Sequence, residues 1–447
     1  MSTNREQWSS KFGFIMASAG AAIGLGAIWK LPYVTGMSGG GAFFLIFVAF
    51  TILIGLPMLI SEFIIGRGAQ KEAVTAYKKL APNSFWAITG HLGVIGCFLL
   101  LSFYAVVGGW VLIYSLMAIG GRVIQSDASY PDLFGSITAT PYVTLLGLAV
   151  FLLINIIVIS VGIKNGIEKA SKYMMPLLFV FFIILVIRSL TLDGAMEGIK
   201  FFLYPDFSKV TGESVLYALG QSFFALAVGF SCMVTYSSYL SKKESIPSAA
   251  GSIVLMNIFV SLLAGLAIFP VVFAFGFEPA EGPGLLFMVL PAVFSQIPLG
   301  EFFLAVFLLL FLFATLTSSF SLLEIIVSAF TESGKRSRKK VAWISGIVVF
   351  FAGIPAALSF SLLQDFQIFG KTVFDTTDFL VSNILLPLGC LLIALFITIK
   401  MNKQLVKEEF TLSNTLSPFM FTTWSVLMKW VVPVTIILVF LGTLGII

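Results

Sequence analysis

Charge is scarce in this chain. Asp, Glu, Lys and Arg make up 11% of its 447 residues, roughly half of what a soluble domain carries. Histidine occurs once, at His91, and reads as a packing or interface residue. Cysteine occurs three times, and Cys97, Cys232 and Cys390 all fall in apolar runs. Their placement implies neither a disulfide framework nor a metal site. No nucleotide-binding motif and no catalytic constellation is present, so an enzyme is not expected. Residues 1–10 are polar and lack the basic-then-apolar layout of a cleaved signal peptide. Nowhere is there room for a sizeable soluble domain.

Apolar sequence is abundant instead. Hydrophobic residues reach 59% and mean hydropathy is +1.05. Runs long enough to cross a roughly 30 Å hydrocarbon core recur to the C-terminus. Eleven spans are expected, over 12–36, 42–66, 86–120, 141–161, 166–190, 214–240, 247–276, 302–331, 341–361, 375–400 and 427–446. The fold class is therefore an all-α polytopic membrane protein with one transmembrane domain over 1–447. Its partner surface is the lipid bilayer, and the net charge of +5 belongs to loops rather than to a nucleic-acid site.

Lysine and arginine set the orientation. One set of loops holds Lys11, Arg67, Lys71, Lys78, Lys79, Lys164, Lys169, Lys242, Lys243, the run Lys335–Lys340, Lys403 and Lys407. By the positive-inside rule that side is cytoplasmic. The expectation is a multi-pass protein of the cell's inner (plasma) membrane, with the N-terminus cytoplasmic and, for an odd number of spans, the C-terminus extracellular.

Two spans are interrupted. The first contains Gly20, Gly24, Gly26 and Pro32 within one apolar stretch; the sixth contains Gly220 and Gly229. In lipid, unpaired backbone is tolerated only where it lines a cavity, and broken helices are where transporters hold ions and substrates. Glycines also permit close helix packing, and that reading is the alternative. The two breaks lie five spans apart, an odd offset that reverses direction through the membrane. Repeats over about 10–190 and 213–400 would then be inverted copies, with an extra span at 427–446.

Such a site suits particular chemistry. A half-helix N-terminus offers N–H groups and a positive dipole end to a carboxylate. Unwound carbonyls suit an ammonium group or Na⁺. In the eighth span, Thr315, Thr317, Ser318 and Ser319 are hard oxygen ligands for an alkali cation, or else bond back to their own helix. Glu62, Glu324 and Asp378 are carboxylates within or near spans, a costly placement that points to function or pairing. Glu62 either binds N–H groups of a broken helix or sits at the interface near Arg67. Lys30 and Asp378 either pair across a mouth or are separately solvated.

These residues, with Arg5-Glu6-Gln7-Trp8, Gly39-Gly40-Gly41-Ala42-Phe43, Lys164-Asn165-Gly166-Ile167-Glu168-Lys169, Tyr204-Pro205-Asp206-Phe207 and Thr235-Tyr236-Ser237-Ser238-Tyr239, occur in the order found in one family. The chain resembles the bacterial neurotransmitter:sodium symporters, the LeuT-type amino acid transporters, in the subgroup with eleven spans. The resemblance runs from Arg5 to about Phe440.

It implies a LeuT fold, a 5+5 inverted repeat plus one span, with helices 1 and 6 unwound at the midplane. It implies a second sodium site at Gly20, Ile23, Ala314, Thr317 and Ser318. Substrate would meet Ala22, Leu25, Gly26, Leu100, Tyr104, Phe224, Ala225, Ala227, Phe230, Ser318 and Leu322, with Phe224 as lid. Lys30 with Asp378 would form the outer gate, Lys standing where the family usually has Arg and losing bidentate geometry. Arg5 with Glu332, supported by Trp8 and Tyr239, would form the inner gate, and Glu62 would support a helix break.

The chain departs from the family at the first sodium site. Ala27 and Ala225 replace oxygen-bearing side chains, leaving Asn257 with the carbonyls of Ala22 and Ala225. Apolar replacements leave a small cation short of ligands. Phe47 and Ala225 also break the family's anion site, so chloride is not expected. The function these features imply is Na⁺-coupled import of a neutral, aliphatic or hydrophobic amino acid by alternating access, with one tightly bound Na⁺. The rivals are a proton-coupled transporter of the same fold and a non-transporting membrane sensor or a channel.

Overall fold

The computed structural model describes residues 6–124, 129–276, 284–331, 336–412 and 418–443, and among them the structure is helical without β-strands. In a bilayer core the helix is the form that satisfies every backbone group within one segment. The elements are α1 (Lys11–Ala22), α2 (Gly26–Met37), α3 (Gly41–Ala69), α4 (Ala73–Leu80), α5 (Ala87–Ile119), α6 (Tyr130–Ala139), α7 (Pro141–Val161), α8 (Ile163–Leu190) and α9 (Ala195–Leu203). Then come α10 (Gly212–Phe224), α11 (Cys232–Ser237), α12 (Ile246–Ala274), α13 (Leu285–Phe294), α14 (Gly300–Thr331), α15 (Arg338–Phe360), α16 (Val373–Lys400), α17 (Lys403–Thr411) and α18 (Pro418–Gly442).

Nine of these, among the described residues, are long and apolar enough to cross a membrane, and α1 with α2 makes a tenth, bent by 51° at its break. The sixth expected span divides into α10 and α11, with residues 225–231 non-helical between them. The last span begins earlier than the hydropathy suggests, at Pro418 rather than near 427. Trp424 explains the difference: it is buried and its Nε1 donates to the Pro57 carbonyl at 3.1 Å, which anchors this otherwise exposed turn to the bundle.

Local chemistry sets where helices start. Ser10 Oγ accepts from Gly13 N at 3.0 Å to cap α1. Glu72 caps α4 by accepting from Val74 N and Thr75 N, each at 2.7 Å. Thr211 and Ser214 form a reciprocal capping box at the start of α10.

The core is built around α1, which packs on α8, α12 and α14, while α5 packs on α14 and α7. The large residues left exposed, such as Leu146, Ile157, Val180 and Ile347, lie on long apolar helices whose outer surface faces lipid.

Candidate functional site

The two breaks face each other in the middle of the bundle. At the first, Ile23 leaves the helix at φ −88°, ψ 80°. Glycine is required here by proximity. A Cβ on Gly24 would stand 2.6 Å from Ser318 Oγ and 2.8 Å from Tyr104 Oη. A Cβ on Gly26 would stand 2.7 Å from the Phe224 ring. The Gly26 carbonyl accepts from Gln221 Nε2 at 2.6 Å, which ties the first break to α10.

The second break is strained and then stabilised. Ala227 (φ +52°), Gly229 (φ +98°) and Ser231 (φ +58°) all adopt left-handed backbone, which costs the two non-glycine residues energy. Glu62, fully buried on α3, accepts from Gly229 N at 2.6 Å, Met233 N at 3.1 Å and Val234 N at 3.2 Å. Its carboxylate therefore holds the N-terminal N–H groups of α11, whose positive dipole end it also complements. Glu62 thus meets the N–H groups at the second break.

Between the breaks lies a cavity of about 30 Å³. Ala22, Leu25, Gly26, Leu100, Tyr104, Phe224, Ala227, Phe230, Ser318 and Leu322 line it, together with Ala21, Gly24, Cys232 and Leu386. Ala225 is not among the lining residues; its carbonyl accepts from Asn257 Nδ2 at 2.7 Å. No charged side chain reaches this cavity. Tyr104 Oη accepts from Leu25 N at 3.3 Å, so the phenol and the start of α2 converge on one spot.

The second-site residues come together. Gly20 backs onto Thr317, whose Cβ would stand 2.8 Å from a Cβ added there. Ser318 Oγ donates across to the Ala21 carbonyl at 3.1 Å. Thr317 Oγ1 donates back to Phe313 O at 2.9 Å and Ala314 O at 3.2 Å. A hydroxyl that donates keeps its lone pairs for a cation, so this donor set fits Na⁺ as cargo. Ile23 is at the break beside Gly24, fully buried.

At the first site, Asn257 Oδ1 is buried without a partner, as is Ser261 Oγ. An acceptor left unpaired in the interior is costly, so the Asn257 oxygen is one that a cation could take up. Ala27 is fully buried and brings no oxygen side chain. Phe47 and Ala225 share an apolar cluster with Phe43, Phe44, Phe202 and Phe269.

The cavity has two differently built ends. On one, Lys30 Nζ lies 3.9 Å from Asp378 Oδ2, so the two are paired. The same ammonium sits 5.4 Å from the centroid of the Phe224 ring, a cation–π arrangement. Phe224 separates the inner cavity from a wider vestibule of about 240 Å³ that Lys30 also lines.

On the other end, Trp8 Nε1 donates to the Tyr236 carbonyl at 2.9 Å, and Trp8 N to the Tyr239 carbonyl at 3.2 Å. Tyr239 Oη donates to Glu324 Oε1 at 2.8 Å. Glu324 in turn pairs bidentately with Arg338, a geometry that adds strength and direction. Arg5 and Glu332 lie outside the described residues. The Glu324–Arg338 pair is the ion pair found at this end, and sequence reasoning missed it. Glu324 stood out as an intramembrane carboxylate, but Arg338 looked like one more basic loop residue.

Comparison with known proteins fits this geometry. The sequence model of the sodium:neurotransmitter symporter family matches residues 5–126 and 135–445. The chain is 55% identical to the sodium-dependent transporter YhdH of Bacillus subtilis, across 98% of each chain. It is 39% identical to a sodium-dependent transporter of Haemophilus influenzae, across 99% of this chain and 100% of the other. Its structure superposes on that of MhsT in complex with L-phenylalanine with a TM-score of 0.92 at 41% identity, covering 98% of this chain and 100% of that one. The chain thus belongs to the sodium:neurotransmitter symporter family, and it is a multi-pass, sodium-coupled transporter with the LeuT fold.

Proposed function

We propose that the chain imports a neutral, apolar amino acid by alternating access, driven by Na⁺ bound at the second site. The cavity between the two breaks carries this reading. Backbone ends and Tyr104 converge on it, while its side-chain walls are uncharged. The start of α2 and the Tyr104 hydroxyl suit the substrate carboxylate, and the carbonyls of Ala22, Phe224 and Ala227 suit its ammonium. A charged substrate side chain would be buried there unpaired, at prohibitive cost. Leu100, Phe230 and Leu322 favour an aliphatic side chain. The likeness to a transporter crystallised with L-phenylalanine extends the range to aromatic ones.

Thr317 and Ser318 would carry the coupling. The first site keeps Asn257 Oδ1 and the Ala22 carbonyl, and would bind Na⁺ only with help from the substrate carboxylate. One tightly bound Na⁺ and little chloride dependence follow, the latter supported by the phenyl rings around Phe47 and Ala225. Lys30, Asp378 and Phe224 would close the extracellular side, and Trp8, Tyr239, Glu324 and Arg338 the cytoplasmic side, with the N-terminus inside and the C-terminus outside.

A competition panel in sealed proteoliposomes tests the substrate class. Valine, leucine and phenylalanine should displace a radiolabelled neutral amino acid better than lysine or glutamate. The reverse order would overturn the assignment.

A further inference from the structure

A second concave region shares no lining residue with the transport cavity. A groove of about 740 Å³ runs between α5, α14 and α15. This is within the roughly 300–1,000 Å³ typical of small-molecule sites. Its floor and walls are Val94, Ile95, Phe98, Ile326, Ile344 and Val348. One end is different: there Arg336, Ser337 and Lys340 line it. No carboxylate lines the groove, and among the described residues neither Arg336 nor Lys340 makes an ion pair. The neighbouring Arg338 is taken by Glu324.

Both cations are exposed and stand at a helix end that does not favour positive charge. The first turn of α15 contains no acidic residue, although a helix N-terminus favours negative charge. Arg336 and Lys340 therefore add to the positive end of the helix instead of opposing it, and an outside anion would relieve both. The apolar part fixes what kind of anion. From Lys340 to Val348 the helix rises roughly 12 Å at about 1.5 Å per residue. The wall it presents is open outward, with Ile95, Ile344 and Val348 about half exposed. A free phosphate would use the cations and leave that length of greasy wall empty.

We propose that this groove holds an anionic phospholipid, its phosphate between Arg336 and Lys340 and an acyl chain along Ile95, Phe98, Ile344 and Val348. Basic pockets between membrane helices on the cytoplasmic side are suited to such headgroups. The bias of lysine and arginine assigns this end to that side. The lipid binds to the face of α14 and α15 beside the Glu324–Arg338 pair, outside the transport cavity, and its binding does not depend on which amino acid is carried.

The test uses the full-length protein in detergent, with native mass spectrometry of retained lipid after addition of phosphatidylglycerol, phosphatidylcholine or glycerol phosphate. Wild type should retain phosphatidylglycerol at least tenfold better than the other two. Arg336→Gln with Lys340→Gln should lose that preference. Lys164→Gln with Lys169→Gln, which removes equal charge from the same side away from the groove, should keep it. Val348→Trp, which fills the apolar length, should reduce retention while the headgroup cations remain. Unchanged melting temperature in the substituted proteins shows that they fold. Equal retention of phosphatidylcholine, competition by glycerol phosphate alone, equal loss in both paired variants, or a dimer that dissociates when the groove is substituted would each overturn the proposal.

Discussion

The two closures on either side of the cavity are built from different materials. At the Trp8 end, Trp8, Tyr236, Tyr239 and Glu324 are all buried, and they interlock through aromatic edges and hydrogen bonds to a bidentate ion pair. At the Lys30 end, one ion pair at 3.9 Å, with side chains 27% and 38% exposed, stands over a single phenyl ring. A buried pair is expensive to break from one side, whereas a partly exposed pair contributes little and is screened by salt. If the two ends act as gates as proposed, the thick end would hold most of the free energy that opposes opening, and the thin end would set how easily substrate enters and leaves.

That contrast is open to attack residue by residue. The largest effect is expected from Glu324→Gln, which leaves Arg338 without its counter-charge. The cost of such a loss is roughly 3–5 kcal/mol for a buried pair, and the partial exposure of Arg338 places it near the lower bound. The melting temperature should fall. Cys232, which lines the cavity, should become rapidly labelled by a thiol reagent applied from the cytoplasmic side. Unchanged labelling would mean that the pair does not hold that end shut.

A smaller effect is expected from Trp8→Phe. The ring contacts with Phe14 and Tyr236, at 5.9 and 5.3 Å, are largely kept, but the hydrogen bond to the Tyr236 carbonyl is lost. Such a bond is worth about 1 kcal/mol net. Cys232 labelling should rise by less than tenfold, in the same direction as for Glu324→Gln. A larger effect than Glu324→Gln would invert the account of what closes this end.

The smallest stability effect belongs to Lys30→Gln. Removing an exposed pair should cost no more than about 1 kcal/mol, below what a melting curve resolves clearly. Substrate should nevertheless leave faster, because the cation above Phe224 is gone, and KM should rise with little change in melting temperature. A melting shift matching that of Glu324→Gln would erase the distinction between the two ends.

The sequence made the first break legible because its signal is local: Gly20, Gly24, Gly26 and Pro32 lie within one apolar stretch. The second break was weaker, since Ala227 and Ser231 give no hint that they will adopt left-handed backbone. What holds each break was hidden by distance in the chain. Glu62 meets Gly229, Met233 and Val234 only after folding, so its role stayed open between two readings until the helices were packed. Lys30 and Asp378 were ambiguous for the same reason. Arg338 was concealed by its setting, because a basic loop after a span already has a topological explanation. The early start of α18 was hidden by Thr422 and Thr423, which lower local hydropathy around the anchoring Trp424.

On this reading Thr317 and Ser318 couple amino acid import to Na⁺. Initial uptake of a radiolabelled neutral amino acid into proteoliposomes, with and without an inward Na⁺ gradient and with chloride or gluconate as anion, tests it most directly when wild type is set beside Thr317→Ala with Ser318→Ala. Wild-type uptake should need the Na⁺ gradient, rise with a Hill coefficient near one and ignore chloride, and uptake by the double variant should no longer respond to Na⁺. Uptake driven by a proton gradient in the absence of Na⁺, or a double variant with unchanged Na⁺ response at limiting Na⁺, would contradict it.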